Sequence, residues 1–97
     1  MIPPSTILVA VDFSDASLTS ARLDAALLGK AVLRRANLSL ARAAGADFTE
    51  CDLREARLIQ TDLMQAELKR ANIGGARFDD TNLSAARNIP IIVGPKK

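Results

Sequence analysis

The sequence predicts an all-β chain wound into a square coil, and three observations predict it. Every fifth residue from Leu8 is apolar: Leu8, Phe13, Leu18, Leu23, Leu28, Leu33, Leu38, Ala43, Phe48, Leu53, Leu58, Leu63, Leu68, Ile73, Phe78 and Leu83. The residue two before each is small, being Ala, Thr, Cys51 or Val11 throughout. No insertion breaks this frame between residues 6 and 85.

Each regular element fails the pattern in turn. An α-helix turns about 100° per residue, so a step of five rotates about 140° and scatters the large residues around the helix. A flat strand alternates faces at every residue, so an odd step sends successive Leu to opposite sides. A chain that bends by a quarter turn every five residues satisfies the pattern. Each segment is then one side of a square, with its central residue and the residue two before it pointing inward. Internal repetition at a fixed short period is the mark of a solenoid.

The segments ANLSL, ADFTE, CDLRE, TDLMQ, AELKR, ANIGG and TNLSA resemble the motif of the pentapeptide repeat family. The resemblance covers residues 6–85. It implies a right-handed quadrilateral parallel β-helix of about four coils. At a strand spacing of about 4.8 Å such a rod is about 19 Å tall. Residues 1–5 are expected to form an N-terminal cap, and residues 86–97 a C-terminal cap and tail.

The inward columns explain the residue types. A methyl, hydroxyl or thiol fits near each corner, and Leu or Phe fills the middle of a side. Burying one Leu contributes about 1.5–3 kcal/mol. Cys51 stands in the small column and reads as a buried, inert thiol. Ala43 is the weak place in the large column, between Leu23 and Leu63. Either a void remains there, which Ala43→Leu would fill, or the coil has closed around the Ala. Gly74-Gly75 is expected at a corner, where a positive φ is needed. All four prolines lie outside the array, at positions 3, 4, 90 and 95. That suits residues unable to donate to a ladder.

The outward charges nearly cancel. The formal net charge is +2, and no side of the square is acidic. On the side centred on Phe13, Asp12 and Asp15 are followed one coil later by Arg34 and Arg35, then by Asp52, Arg54 and Glu55. That alternation predicts pairing between neighbouring coils. Some pentapeptide repeat proteins are DNA mimics that bind DNA gyrase or related topoisomerases. The resemblance carries that as an alternative function, but the mechanism asks for a strongly acidic rod.

The chain has no His, Tyr or Trp. Ser-His-Asp and Cys-His catalysis are therefore excluded, and a single Cys without His supplies no zinc site. No phosphate-binding glycine motif occurs. The carboxylate pairs Asp79-Asp80 and Asp52/Glu55 sit on convex faces, with no cleft to perturb them. The expectation is a non-enzyme with no cofactor and no metal. Arg34-Arg35 and the terminal Lys96-Lys97 are short basic clusters, and no exposed aromatic could stack a base, so nucleic acid is not the expected partner. One cysteine cannot form an intrachain disulfide. The first residues have neither a basic n-region nor a long apolar run, and no stretch is apolar enough to span a membrane. A cytoplasmic location is expected.

The reading that remains is a protein-interaction or structural module. It presents rigid faces to an unidentified protein partner, including a second copy of itself. The candidate contact residues are Ile7, Val9, Leu27 and Val32 near one end, and Ile89, Ile91, Ile92 and Val93 at the other. These are apolar residues at outward or terminal positions, and an apolar patch of this kind marks contact. The alternatives are that Met1 and Ile2 cover the first patch and that Ile89, Ile91, Ile92 and Val93 fold over the last coil as a lid.

Overall fold

The computed structural model describes residues 6–90. They contain no helix. Isolated parallel bridges join residues twenty apart: Ile7 to Leu27, Leu27 to Asp47, Asp47 to Glu67 and Glu67 to Arg87 on one side. Equivalent series start at Asp12, Ser17 and Arg22. Four segments therefore complete one turn. The sides are named here first to fourth, after the series that begin at Ile7, Asp12, Ser17 and Arg22.

The quarter turn has a backbone cause. The residue two after each central residue has a positive φ, between +56° at Asp80 and +71° at Gly75. Each corner is closed by a bond from the next segment's first N–H to the central residue's carbonyl, such as Ala31 N to Leu28 O at 2.9 Å. A positive φ at the third residue of a four-residue turn is the mark of type II geometry. Only Gly45 and Gly75 meet this demand with glycine. Residues such as Leu40, Lys30 and Gln60 adopt the left-handed region instead.

One interior segment shows where every backbone N–H goes. Ala46 donates to Ala43 O across the corner, at 3.1 Å. Asp47 donates to Ala26 O in the turn before, at 2.8 Å. Phe48 and Glu50 donate to Glu67 O and Lys69 O in the turn after, at 2.7 and 2.8 Å. Thr49 donates to the Asp47 side chain, Oδ1, at 2.9 Å. All five donors are satisfied, as buried backbone requires.

The last of these bonds explains the Asp or Asn that precedes so many central residues. Asp12, Asn37, Asp52, Asp62, Asn72 and Asn82 each accept the N–H two residues on, at 2.9–3.1 Å. This is an Asx-type turn within the segment, and it occupies the one N–H that no neighbouring turn can reach. The apolar period carries no trace of this role.

The shaft is filled as the period implies. Leu28, Leu33, Leu38, Phe48, Leu53, Leu58, Leu63 and Leu68 are fully buried, with Ala columns between them. Polar members of the small column find a partner one turn below. Thr61 Oγ1 donates to Leu38 O at 2.6 Å, Cys51 Sγ contacts Leu28 O at 2.8 Å, and Thr81 donates to Leu58 O. Each of those carbonyls already closes a corner, so the side chain uses its second lone pair.

Two inward positions depart from expectation. Thr6 and Val11 are exposed, Val11 by 37%. They belong to the first turn, which has no turn beneath it among the described residues. At the last turn Phe78 and Leu83 are only half-buried, whereas Leu58 and Leu63 directly below are covered. Ala43 is fully buried, and no cavity opens among the described residues. Of the two expectations at Ala43, this favours a coil closed around it. Gly75 occupies a corner with positive φ and Gly74 does not. The ladder reaches Arg87, whose N–H meets Ala66 O at 2.8 Å and whose carbonyl accepts from Leu68. Asn88 follows with φ +55°. The caps expected at residues 1–5 and beyond residue 90 lie outside the described residues.

Three outcomes test this packing. Ala43→Leu overfills a closed shaft and lowers stability by about 1–3 kcal/mol in denaturant melts. Leu40 is 51% exposed in a left-handed corner, so Leu40→Asn raises stability by about 0.5–1 kcal/mol, since Asn tolerates that conformation best after Gly. Burial pushes the Cys51 thiol up to about 12. The unfolded thiol ionises first as pH rises, so folding stability falls above roughly pH 8.5. Between pH 7 and pH 10 the wild type loses about 1–2 kcal/mol more than Cys51→Ala, read by denaturant titration at each pH.

Candidate interaction surface

The outward residues of a segment are its second, fourth and fifth. Because turns stack in register, each outward position forms a column. On the first side, Ile7 bridges to Leu27 at the second position. Ile7 is 66% exposed, Val9 50% and Leu27 38%. Val11, just past the Ala10 corner, is 37% exposed from an inward position, at the end of the shaft and not on a side. Above Leu27 the same column continues with Asp47 and Glu67, so the apolar surface is confined to the starting end of the rod.

The other candidate residues fall elsewhere. Val32 lies one side on, half-buried, with Asp12 and Asp52 as its bridge neighbours. It does not join the patch of Ile7, Val9 and Leu27. Ile89 is 40% exposed at the opposite end. Ile91, Ile92 and Val93 lie outside the described residues. Three exposed apolar residues had no signal that separated them from their columns: Val11, Leu40 and Met64. Val11 has an inward position and is uncovered only because it stands in the first turn.

Charge is neutralised locally, by two geometries. Arg35 reaches back one turn and grips Asp15 with two bonds, at 2.7 and 2.9 Å. That is the pairing between turns that the alternation predicts. Arg54 does otherwise and folds onto Asp52 of its own segment, at 2.8 and 2.7 Å. The expected alternation therefore fails at Arg54. Its column neighbours are Arg34 and Gly74, which offer no acid, while Asp52 points outward on the same side two residues away. These forks hold both carboxylates below the usual range, and hydrogen bonds from Ser14 do the same for Asp12. Glu50 lies between Lys30 and Arg70 of adjacent turns, at 4.0 and 3.6 Å. Arg87 and Asn88 converge on Glu67. Arg34 Nε is buried without a partner among the described residues.

The surface is thus flat, rigid and close to neutral, with one apolar area at its starting end. Among the described residues no group of Cys, Asp or Glu is arranged to hold a metal ion. No helix there is long and apolar enough to cross a membrane.

Comparison with known proteins agrees with this geometry. The family model for pentapeptide repeats matches eight copies, over residues 16–54 and 46–84. No curated protein matches the chain. Among solved structures, the chain is similar to HetL of the cyanobacterium Nostoc sp. strain PCC 7120, a pentapeptide repeat protein involved in heterocyst differentiation regulation. The identity is 33% and the TM-score 0.54, over 84% of this chain and 40% of HetL. It is also similar to the pentapeptide repeat protein Rfr23 of the cyanobacterium Cyanothece 51142. There the identity is 27% and the TM-score 0.45, over 84% of this chain and 61% of that one. The chain thus spans 40% and 61% of the lengths of these two relatives. Repeats matched over most of its length, on a backbone that bends at every fifth residue, make this chain a member of the pentapeptide repeat family, whose fold is a right-handed β-helix.

Proposed function

We propose that the chain is a non-catalytic protein-interaction module. Its four-coil quadrilateral rod presents rigid sides to a protein partner, and its ends to second copies of itself. The apolar area of Ile7, Val9 and Leu27 carries this reading. Among the described residues it is where neighbouring outward positions are apolar and exposed together. Holding such residues out on a stiff ladder leaves little entropy to lose when a partner covers them. Family membership supports the structural half of the proposal, since pentapeptide repeats build structural modules. HetL's regulatory involvement is compatible with an interaction role, although this chain spans 40% of HetL. We place the module in the cytoplasm, in keeping with its single thiol.

The rival reading, a DNA mimic directed at gyrase or a related topoisomerase, requires an acidic face. Each side here sets Arg or Lys beside its Asp and Glu, so the interaction reading is preferred.

The double variant Ile7→Asn/Leu27→Lys tests it. Both residues are exposed, Asn serves at the second position of other segments, and a lysine at position 27 stands beside Asp47, so the variant keeps the wild-type melting temperature. In a pull-down from the native cell, proteins retained by the wild type are lost by the variant. Equal recovery by both proteins would end the assignment of this surface.

A further inference from the structure

Resting on the self-association part of that reading, we infer that copies join head to tail, the first turn of one seated on the last turn of another. The backbone gives the two ends opposite character. Within the rod, each central residue and each corner residue donates its N–H toward the following turn, as Phe48 and Glu50 do to Glu67 O and Lys69 O. The acceptors are carbonyls of second and fourth residues, facing back toward the preceding turn. The second residue of each segment also donates backward, as Asp47 does to Ala26 O.

At the last turn the forward donors of Ile73, Gly75, Phe78, Asp80, Leu83 and Ala85 have no partner among the described residues. At the first turn the carbonyls that would receive them, such as those of Asp12, Ser14, Ser17 and Thr19, are equally unpaired there. The last end is therefore rich in donors and the first end in acceptors. Two like ends would leave the surplus donors of one end, or the surplus acceptors of the other, without partners. Unlike ends repeat the contact that every interior turn already makes. Unpaired edges of this sort are templates for another chain.

Packing points the same way. Phe78 and Leu83 at one end, and Phe13 and Leu18 at the other, are half-buried, while their column neighbours one turn inward are covered. The ladder stops one side into a further turn, at Arg87. A second copy that continues the spiral therefore enters rotated by one side, its residues 6–10 over residues 71–75. In that register Arg77 faces Asp12 of the second copy, but Arg87 faces its Arg22. Charge is mixed across the junction, and the polarity is set by the backbone. A contact between unlike ends does not close on itself, so it propagates into a filament.

Sedimentation equilibrium on the full chain tests the proposal. Val11→Lys places a charge on the first end, and Ala76→Lys places one on the last end. The wild type should rise in weight-average mass beyond dimer as concentration increases. Each variant alone should stay a monomer, because every copy lacks one of the two surfaces. An equimolar mixture should double in mass, since one free end of each kind remains. Dimerisation of either variant alone would show that like ends meet; self-association would survive and the head-to-tail inference would not. A wild type that stays monomeric, with the chain's own terminal residues covering the ends, would remove both. Should a lysine variant melt below the wild type, Ser17→Cys and Asn82→Cys, both exposed, give the second measurement. Under oxidation, head-to-tail contact yields disulfide dimers in their mixture well above either variant alone. Equal yield from one variant alone overturns the inference.

Discussion

The left-handed corner is the constraint from which the rest of this molecule follows. At every fifth residue from Ala10 to Ala85 the backbone adopts a positive φ, and the chain turns onto the next side. For residues with a Cβ that conformation costs about 1–2 kcal/mol each. The cost is met by what the corner makes possible. It brings residues twenty apart into one parallel ladder, lets the corner N–H bond the turn above, and stacks Leu upon Leu in a closed shaft. A corner that relaxed to negative φ would send the next segment out of register. All later segments would lose their partners with it.

The same ladder makes the rod uniform along its axis and different at its ends. An interior turn is supported from both sides, as Leu33, Leu53 and Phe48 show by their complete burial. Among the described residues the first and last turns are supported from one side. Stability in such an array is close to a sum over turns and the contacts between them, so loosening begins at the ends. Among the described residues the ends also combine half-covered apolar residues with backbone groups that have no partner there.

The sides behave differently. Their outward residues are held at strand spacing, and where charges pair they do so locally, whether one turn away as in Arg35–Asp15 or two residues away as in Arg54–Asp52. A neutral, stiff, flat side suits recognition by shape and by a small apolar area.

Residue order alone determined the path of the chain. A five-residue apolar period has one way to bury itself, so the shaft, its small and large columns and the exclusion of a helix were legible in Leu8 through Leu83. The outward position of Ile7, Val9 and Leu27 was legible for the same reason. The period counts inward positions only, and so it was silent on what the outward residues do. The turn-forming role of Asp47 and Asn72 depends on a hydrogen bond to a specific N–H. The partner of Arg54 depends on which carboxylate its fork can reach. Tertiary structure alone decided that Val11, an inward residue by pattern, stands exposed, and that Ala43 is fully buried. A position in the repeat states which way a side chain points, whereas only the neighbouring turns state whether anything lies there to meet it.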